Sequence, residues 1–384
     1  MLWVDKYRPK RLEQLTYHAK MTQMLRKMVL SGNFPHLLFY GPPGAGKKTR
    51  ILALLQEVFG KGVTKIKTEH RSFKVNSRTI EITTLGSNYH IEMNPSDAGI
   101  YDRVVVQDII KEIASSQSLI TASTITATQS NHNHNSKHKQ DEKEKESQQS
   151  NRAHFKVVVL NEVDKLTKDA QHGLRRTMEK YMSTCRIILQ CDCVSKVIEP
   201  LRSRCLSIRI AAPSHEQIVE ILKDVANKER VSMDDEFARQ IAIKSQRNLR
   251  RALLMLQVSS TESNRLVMAD AKQQQQRIKT APWQLFIEEL ARIVVEEQSP
   301  QRLLLARQKL YELLANCIPA DVIFEKLTVA LMENVDDSLR KDIVHWAAYH
   351  EHRMQQGAKP IIHLEAFLAR FMQIYKKWQL EFFG

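Results

Sequence analysis

The stretch FYGPPGAGKKTRILALL (Phe39–Leu55) decides how the rest of the chain is read. It follows a short apolar run, HLLFY (His36–Tyr40), and leads into KTRILALLQEVF, whose apolar residues recur at helical spacing. Gly41, then Pro42, Pro43, Gly44 and Ala45, then Gly46 and Lys47 satisfy the phosphate-loop pattern. Such a loop works because backbone N–H groups and the N-terminus of the next helix converge on phosphate oxygens, while the lysine reaches the outer phosphates. The pattern next asks for a Ser or Thr to hold magnesium, and Lys48 stands there instead. Thr49 replaces it only if the helix starts one residue later, because adjacent helical side chains diverge by about 100°. The expectation is a site for ATP or ADP with a damaged metal position.

A second element is Val157–Leu160 followed by NEVDKL. In phosphate-loop ATPases a buried strand ends in an acidic pair, one carboxylate supporting magnesium and the next polarising the attacking water. Here Asn161 holds the first position and Glu162 the second, with Asp164 two residues on. Glu162 reads either as that catalytic acid or as a surface acid at a strand end. Lys48 adds a positive charge at the metal position and Asn161 removes a negative one. Phosphate binding by the loop and Lys47 is expected to persist and hydrolysis to suffer, with Mg2+ admitted only on degenerate ligands.

A chain of 384 residues exceeds what one hydrophobic core serves, so two or three domains are expected. No apolar run reaches the ~18–20 residues of a membrane span, and MLWVDKYRPK lacks the apolar stretch of a signal peptide. A soluble intracellular protein with no membrane partner is expected. The five cysteines show no C-x-x-C pair and read as buried thiols, with no metal site. The formal charge of +15 suggests a polyanionic partner through counterion release, or else plain solubility.

Residues 117–153 are polar and repetitive, and read as a disordered insertion whose His132, His134 and His138 are weak metal candidates. Around it, HLLFY, SNYHIEMNP, FKVVVL, RIILQC and LSIRI alternate with helical stretches, as in a parallel sheet covered on both faces. After Pro213 the texture turns helical. Ser214 and Gln217 form a capping box before Ile218, Ile221, Leu222 and Val225. Beyond a polar bridge at 269–280, Leu364, Phe367, Leu368, Phe371 and Trp378 mark a further helical stripe.

WVDKYRP (Trp3–Pro9), LTKDAQHGLRRTMEKY (Leu166–Tyr181), SKVIEPLRSRC (Ser195–Cys205) and YHEHRMQQGAKPIIHLEAFLARF (Tyr349–Phe371) occur in this order with the phosphate loop. On these motifs the chain resembles the replication factor C small subunits, AAA+ clamp loaders, over nearly its whole length except the insertion, and one branch of that family in particular. The resemblance implies that Trp3, Val4, Tyr7, Arg8 and Pro9 lie against the adenine and that Arg250 of NLRRA is a lid residue reaching the phosphates. The family's Gly-Asp before that motif is Arg247-Asn248 here. Asp192, ending the IILQC strand, takes a sensor position commonly held by Asn; a carboxylate cannot donate there and repels a terminal phosphate. Arg204 of SRC is by resemblance an arginine finger serving the neighbouring subunit, a role worth roughly 10³–10⁵ in rate. The alternative is that Arg202 and Arg204 cap the preceding element.

The resemblance further implies a nuclear heteropentamer with four other replication factor C subunits, which opens the PCNA sliding clamp and passes primer–template DNA through it. Arg103, Lys165, Lys168, Arg175 and Arg176 are candidates for DNA phosphates, or solvated helix faces; Arg175 and Arg176 are also candidates for a neighbour's nucleotide. Gln107, Ile110 and Ile113 recur at spacings of three and offer either a clamp-binding face or domain core. The insertion begins just after that helix and is expected near the clamp.

The fold expected is α/β: a phosphate-loop AAA+ parallel-sheet domain (1–212), a small helical lid (213–272) and an all-helical collar (273–384). The expected activity is nucleotide binding with weak or no hydrolysis at this site, within an ATP-driven loader. A self-sufficient AAA+ DNA-remodelling ATPase and a scaffold that ignores nucleotide are the competing readings.

Overall fold

Five short apolar runs and one largely polar hairpin build a seven-stranded sheet. The structure, a computed structural model, describes residues 1–31, 34–75, 78–113, 155–182, 184–231, 233–266, 281–357 and 359–383. The expected insertion with its histidines, and the polar bridge at 269–280, lie outside the described residues. The chain divides into two compact units, 1–278 and 279–384.

In chain order the first unit runs α1 (Trp3–Lys6), α2 (Ala19–Leu30), β1 (Leu37–Tyr40), α3 (Lys47–Phe59), β2 (Lys67–Val75), β3 (Arg78–Gly86), β4 (His90–Met93) and α4 (102–113). It continues through β5 (Lys156–Leu160), α5 (Lys168–Lys180), β6 (Cys185–Cys191), α6 (Glu199–Arg202), β7 (Leu206–Arg209), α7 (His215–Glu229), α8 (Asp235–Lys244) and α9 (Leu249–Leu266). The sheet order is β2-β3-β4-β5-β6-β1-β7. Strands β4, β5, β6, β1 and β7 are parallel, as their apolar runs require. The edge hairpin β2–β3, antiparallel and joined antiparallel to β4, makes the sheet mixed and extends the expected parallel core.

Because strand side chains alternate between faces, Leu37 and Phe39 pack with Leu25 of α2 and Ile51, Leu54 and Leu55 of α3. Leu38 packs on the other face with Val158, Leu160, Ile187 and Leu189, beneath α4 and α5. Each such side chain contributes about 1.5–3 kcal/mol relative to exposure. This arrangement corrects one expectation. Ile110 and Ile113 are 0% and 3% exposed and lie in that core with Val106 and Ile109, so they cannot form a clamp-binding face. Gln107 is half-buried, and its Nε2 lies over Gly173 of α5, where a Cβ would meet it at 2.6 Å.

Helices α7 to α9 have their own core of Ile218, Leu222, Val225, Phe237, Ile241, Leu253 and Leu256. The capping box forms as expected: Gln217 N donates to Ser214 Oγ and Ser214 N donates to Gln217 Oε1. The N-terminal α1 packs on this helical core through Trp3, Val4 and Tyr7.

The second unit consists of α10 (Pro282–Glu296), α11 (Pro300–Ala315), α12 (Ala320–Glu333), α13 (Asp337–Gln356) and α14 (Pro360–Phe383). Its core collects Leu290, Leu310, Phe324, Leu327 and Ile343, with Leu364, Phe367, Leu368 and Phe371 on the expected α14 stripe. Cys185, Cys191 and Cys205 are buried, which pushes each thiol up to about 12. Cys193 and Cys317 are exposed, against expectation, because Cys193 lies past the end of β6 and Cys317 in the turn after α11. Among the described residues no three His, Cys, Asp or Glu side chains are grouped to hold a metal, and no helix is long and apolar enough to cross a membrane.

Candidate nucleotide site

The loop between β1 and α3 has its glycines where no other residue fits. Gly44 has φ 74, and a Cβ there would fall 1.9 Å from Asn248 Oδ1; Gly46 has φ 85, with the Tyr17 hydroxyl 2.3 Å from its would-be Cβ. Tyr17 also donates its hydroxyl to the Ala45 carbonyl at 2.9 Å. The buried Arg50 guanidinium stacks on the Tyr17 ring at 4.3 Å and donates to the Tyr17 carbonyl. Helix α3 begins at Lys47, so its first turn carries Lys48 at the metal position, and the one-residue shift that would bring Thr49 there does not occur.

Lys47 is only 5% exposed. Its Nζ donates to the Gly41 and Pro42 carbonyls at 2.6 and 2.9 Å and is ion-paired with Asp192 Oδ1 at 2.6 Å. Asp192, to which the resemblance gives a sensor position, thus turns onto the phosphate-loop lysine.

Lys48 reaches across the strand ends to Glu92, a buried carboxylate on β4, and pairs with its Oε1. Asn161 Nδ2 donates to the same oxygen at 2.7 Å. Glu92 is in register with Val159, so Asn161, two residues further on, lies on the same sheet face. Both residues that depart from the metal-holding pattern therefore meet on one carboxylate that sequence reasoning missed. The one sequence signal was an acid inside the apolar strand HIEM. A divalent ion at such a site takes a hydroxyl and a carboxylate. An ammonium repels it and an amide brings no charge, while Glu92 is already engaged; these residues do not fit a resident Mg2+.

Glu162 takes a left-handed backbone, φ 52, and its Oε2 pairs with Lys165 at 2.7 Å. The hydrogen bond to Glu162 is the main cause of Lys165 being held above its ordinary value. Asp164 Oδ2 accepts from the Asp192 and Cys193 backbone N–H groups at 3.3 Å, tying the ends of β5 and β6 together.

Arg204 follows α6. Its Nε donates to Glu179 Oε1 at 2.6 Å and its Nη1 to the Pro200 carbonyl at 2.7 Å, so the capping contact of the alternative reading is present. The guanidinium holds the Glu179 carboxyl below its ordinary value. Arg103, Lys168 and Arg176 are exposed; Lys165 and Arg175 are exposed too, with Arg175 3.7 Å from Glu179. Asp102 joins the start of α4 to Thr167, the N-cap of α5, accepting from its N and Oγ1 at 2.8 and 2.9 Å. Arg250 is exposed near the start of α9. Trp3, Val4, Tyr7, Arg8 and Pro9 are half-buried; Trp3 N donates to Gln257 Oε1 and the Tyr7 hydroxyl donates to Glu229 Oε1.

Three family models match. Replication factor C subunit 3, C-terminal domain, covers 283–379; RCF1/5-like, AAA+ ATPase lid domain, covers 220–261; and DNA polymerase III, delta subunit, covers 17–214. The chain is 48% identical to the mouse (Mus musculus) replication factor C subunit 3 over 98% of this chain and 97% of the relative. It is 46% identical to the Arabidopsis thaliana replication factor C subunit 3 over 100% of both. The chain belongs to the replication factor C subunit family. A relative from Oryza sativa, 45% identical over 100% of both chains, carries the name replication factor C subunit 5. The branch the motifs resemble, numbered 3 in vertebrates and 5 in budding yeast, accords with both numbers. As a replication factor C subunit the chain combines a phosphate-loop AAA+ sheet and lid with an all-helical C-terminal unit.

Proposed function

We propose that this replication factor C subunit holds ATP or ADP without hydrolysing it appreciably, as one member of a heteropentameric loader that opens PCNA and places it on primer–template DNA in the nucleus. The observation that carries the reading is the convergence of Lys48 and Asn161 on Glu92, beside an intact glycine loop and Lys47. The loop amides and Lys47 grip phosphates; Trp3–Pro9 flank the base and Arg250 reaches the phosphates from the lid. Arg204 serves the neighbouring subunit's site, leaving Glu179 to do so. Arg103, Lys168 and Arg176, together with Lys165 and Arg175 once released from their carboxylates, meet the DNA backbone. On the clamp side, Ile100 takes the part that buried Ile110 and Ile113 cannot. It is 87% exposed in the turn before α4.

The test is ATP hydrolysis by the purified chain and by the reconstituted complex, with and without Arg204→Ala. The chain alone is expected to bind labelled ADP and ATP with negligible turnover. The complex carrying Arg204→Ala is expected to lose clamp- and DNA-stimulated hydrolysis. Brisk turnover by the chain alone favours the self-sufficient ATPase, and unchanged complex activity removes the finger assignment.

A further inference from the structure

Lys48 and Asn161 converge on Glu92. A buried carboxylate is tolerated only when paired and hydrogen-bonded, and Glu92, with a side chain 5% exposed, receives an ammonium and an amide N–H on one oxygen. The Lys48 side chain keeps 35% exposure, so its ammonium sits at the rim of the site, one residue after the phosphate-loop lysine. Two of its three N–H donors remain for another acceptor. Asn161 is 8% exposed and its Oδ1 is buried without a hydrogen-bond donor. A water bridging to a phosphate oxygen satisfies that acceptor.

The charges balance in the same direction. A hydroxyl and a carboxylate together carry one negative charge; the ammonium and amide found here carry one positive. With the Glu92 carboxylate counted, the set sums to zero where a hydroxyl and a carboxylate beside Glu92 would sum to minus two, so the exchange adds two positive units, the charge that a divalent cation brings. An ammonium neutralises phosphate oxygens and hydrogen-bonds to them. It has no Lewis acidity with which to orient or activate a water.

We propose that Lys48 is a tethered counter-ion in place of the divalent cation, so that the site takes a nucleoside di- or triphosphate in its metal-free form; this rests on the nucleotide-holding reading above. Glu92 and Asn161 position the ammonium. Nucleotide then stays bound whatever the free magnesium concentration, unlike at a site built on a hydroxyl and a carboxylate.

The test is equilibrium binding of fluorescent ADP to the full-length chain, in magnesium and in EDTA. The wild-type dissociation constant is expected to change by less than about threefold between the two buffers, because the counter-ion is covalent. Lys48→Thr combined with Asn161→Asp restores the hydroxyl and carboxylate, and is expected to bind at least about tenfold more weakly in EDTA than in magnesium. Lys48→Arg keeps the charge and is expected to keep the EDTA resistance, which supplies a second variant if the double one melts early. A wild-type loss of about tenfold or more in EDTA overturns the proposal while leaving the nucleotide site standing. No binding in either buffer overturns the nucleotide site and the proposal with it. Equal binding by the double variant in both buffers removes Lys48 from the explanation.

Discussion

Asp192 Oδ1 lies 2.6 Å from Lys47 Nζ, and the lysine's other two N–H groups donate to the Gly41 and Pro42 carbonyls. All three donors are used, so a phosphate must displace an acceptor. Asp192, whose side chain is 49% exposed, leaves most readily, and its charge opposes the incoming one. Asp192→Asn is expected to tighten nucleotide binding by about three- to tenfold, on the order of 1 kcal/mol for a half-exposed pair, with the larger gain for ATP. Titration with labelled ADP and ATP reads this directly; weaker binding would mean that Asp192 assists the ligand.

Glu92 accepts from Asn161 and neutralises Lys48 on one oxygen, and an amide there keeps the acceptor but leaves the ammonium without its counter-charge. Glu92→Gln is expected to cost about 1–3 kcal/mol in urea denaturation, discounted for the exposure of Lys48. Adding Lys48→Met to it is expected to recover part of that loss, because the second change removes an ammonium that has lost its partner. Strict additivity would show that the two side chains do not act as a pair.

Arg247 occupies a left-handed position, φ 62, and its Nε and Nη2 donate to the Pro213 and Ala212 carbonyls at 2.9 Å each. Two bonds to the segment leading into α7 offset a backbone cost of about 1–2 kcal/mol. Arg247→Ala loses the bonds and keeps the strain, and Arg247→Gly loses the bonds and relieves it. In denaturation, Ala is therefore expected to be the less stable of the two by about 1 kcal/mol. The opposite order would show that the backbone cost is not what the arginine overcomes.

Helix α1 is latched to α7 by Glu229, which accepts from Lys6 Nζ and the Tyr7 hydroxyl at 2.7 Å. These bonds, Lys6 first, hold the Glu229 carboxyl below its ordinary 4.5 and raise Lys6 above its ordinary 10.5. The carboxylate's contribution is complete above the unfolded value and is lost as pH falls through the depressed one; that of Lys6 is lost as pH rises through its raised value. The latch is therefore expected to loosen in acid below the ordinary carboxylate range. The emission of Trp3, with Trp283, Trp346 and Trp378 replaced by Phe, should shift to the red there. Glu229→Ala should show the same shift at neutral pH.

The five parallel strands and the phosphate loop were legible because buried strands must be apolar throughout and the loop needs glycine at fixed spacing. The β2–β3 hairpin was not, since KTEHRSFKV offers mainly charged and polar residues with Phe73 between them. On α4 a spacing of three could not tell the inner face from the outer. The buried positions 102, 105, 106, 109, 110 and 113 form the inward stripe, and Ile110 and Ile113 fall on it. The departures from the metal-holding pattern at Lys48 and Asn161 were plain in the sequence. Their meeting point was not, because Glu92 lies 69 residues before Asn161 and only the β4–β5 pairing brings them together.

The account turns on whether this subunit's own site hydrolyses ATP within the assembly, and Glu162→Gln introduced into this chain alone tests it most directly. Clamp- and DNA-stimulated ATP hydrolysis by the reconstituted complex is expected to stay within about twofold of wild type, because Glu162 is paired with Lys165 beside a site proposed to split no nucleotide. A fall as deep as that expected from Arg204→Ala would contradict it.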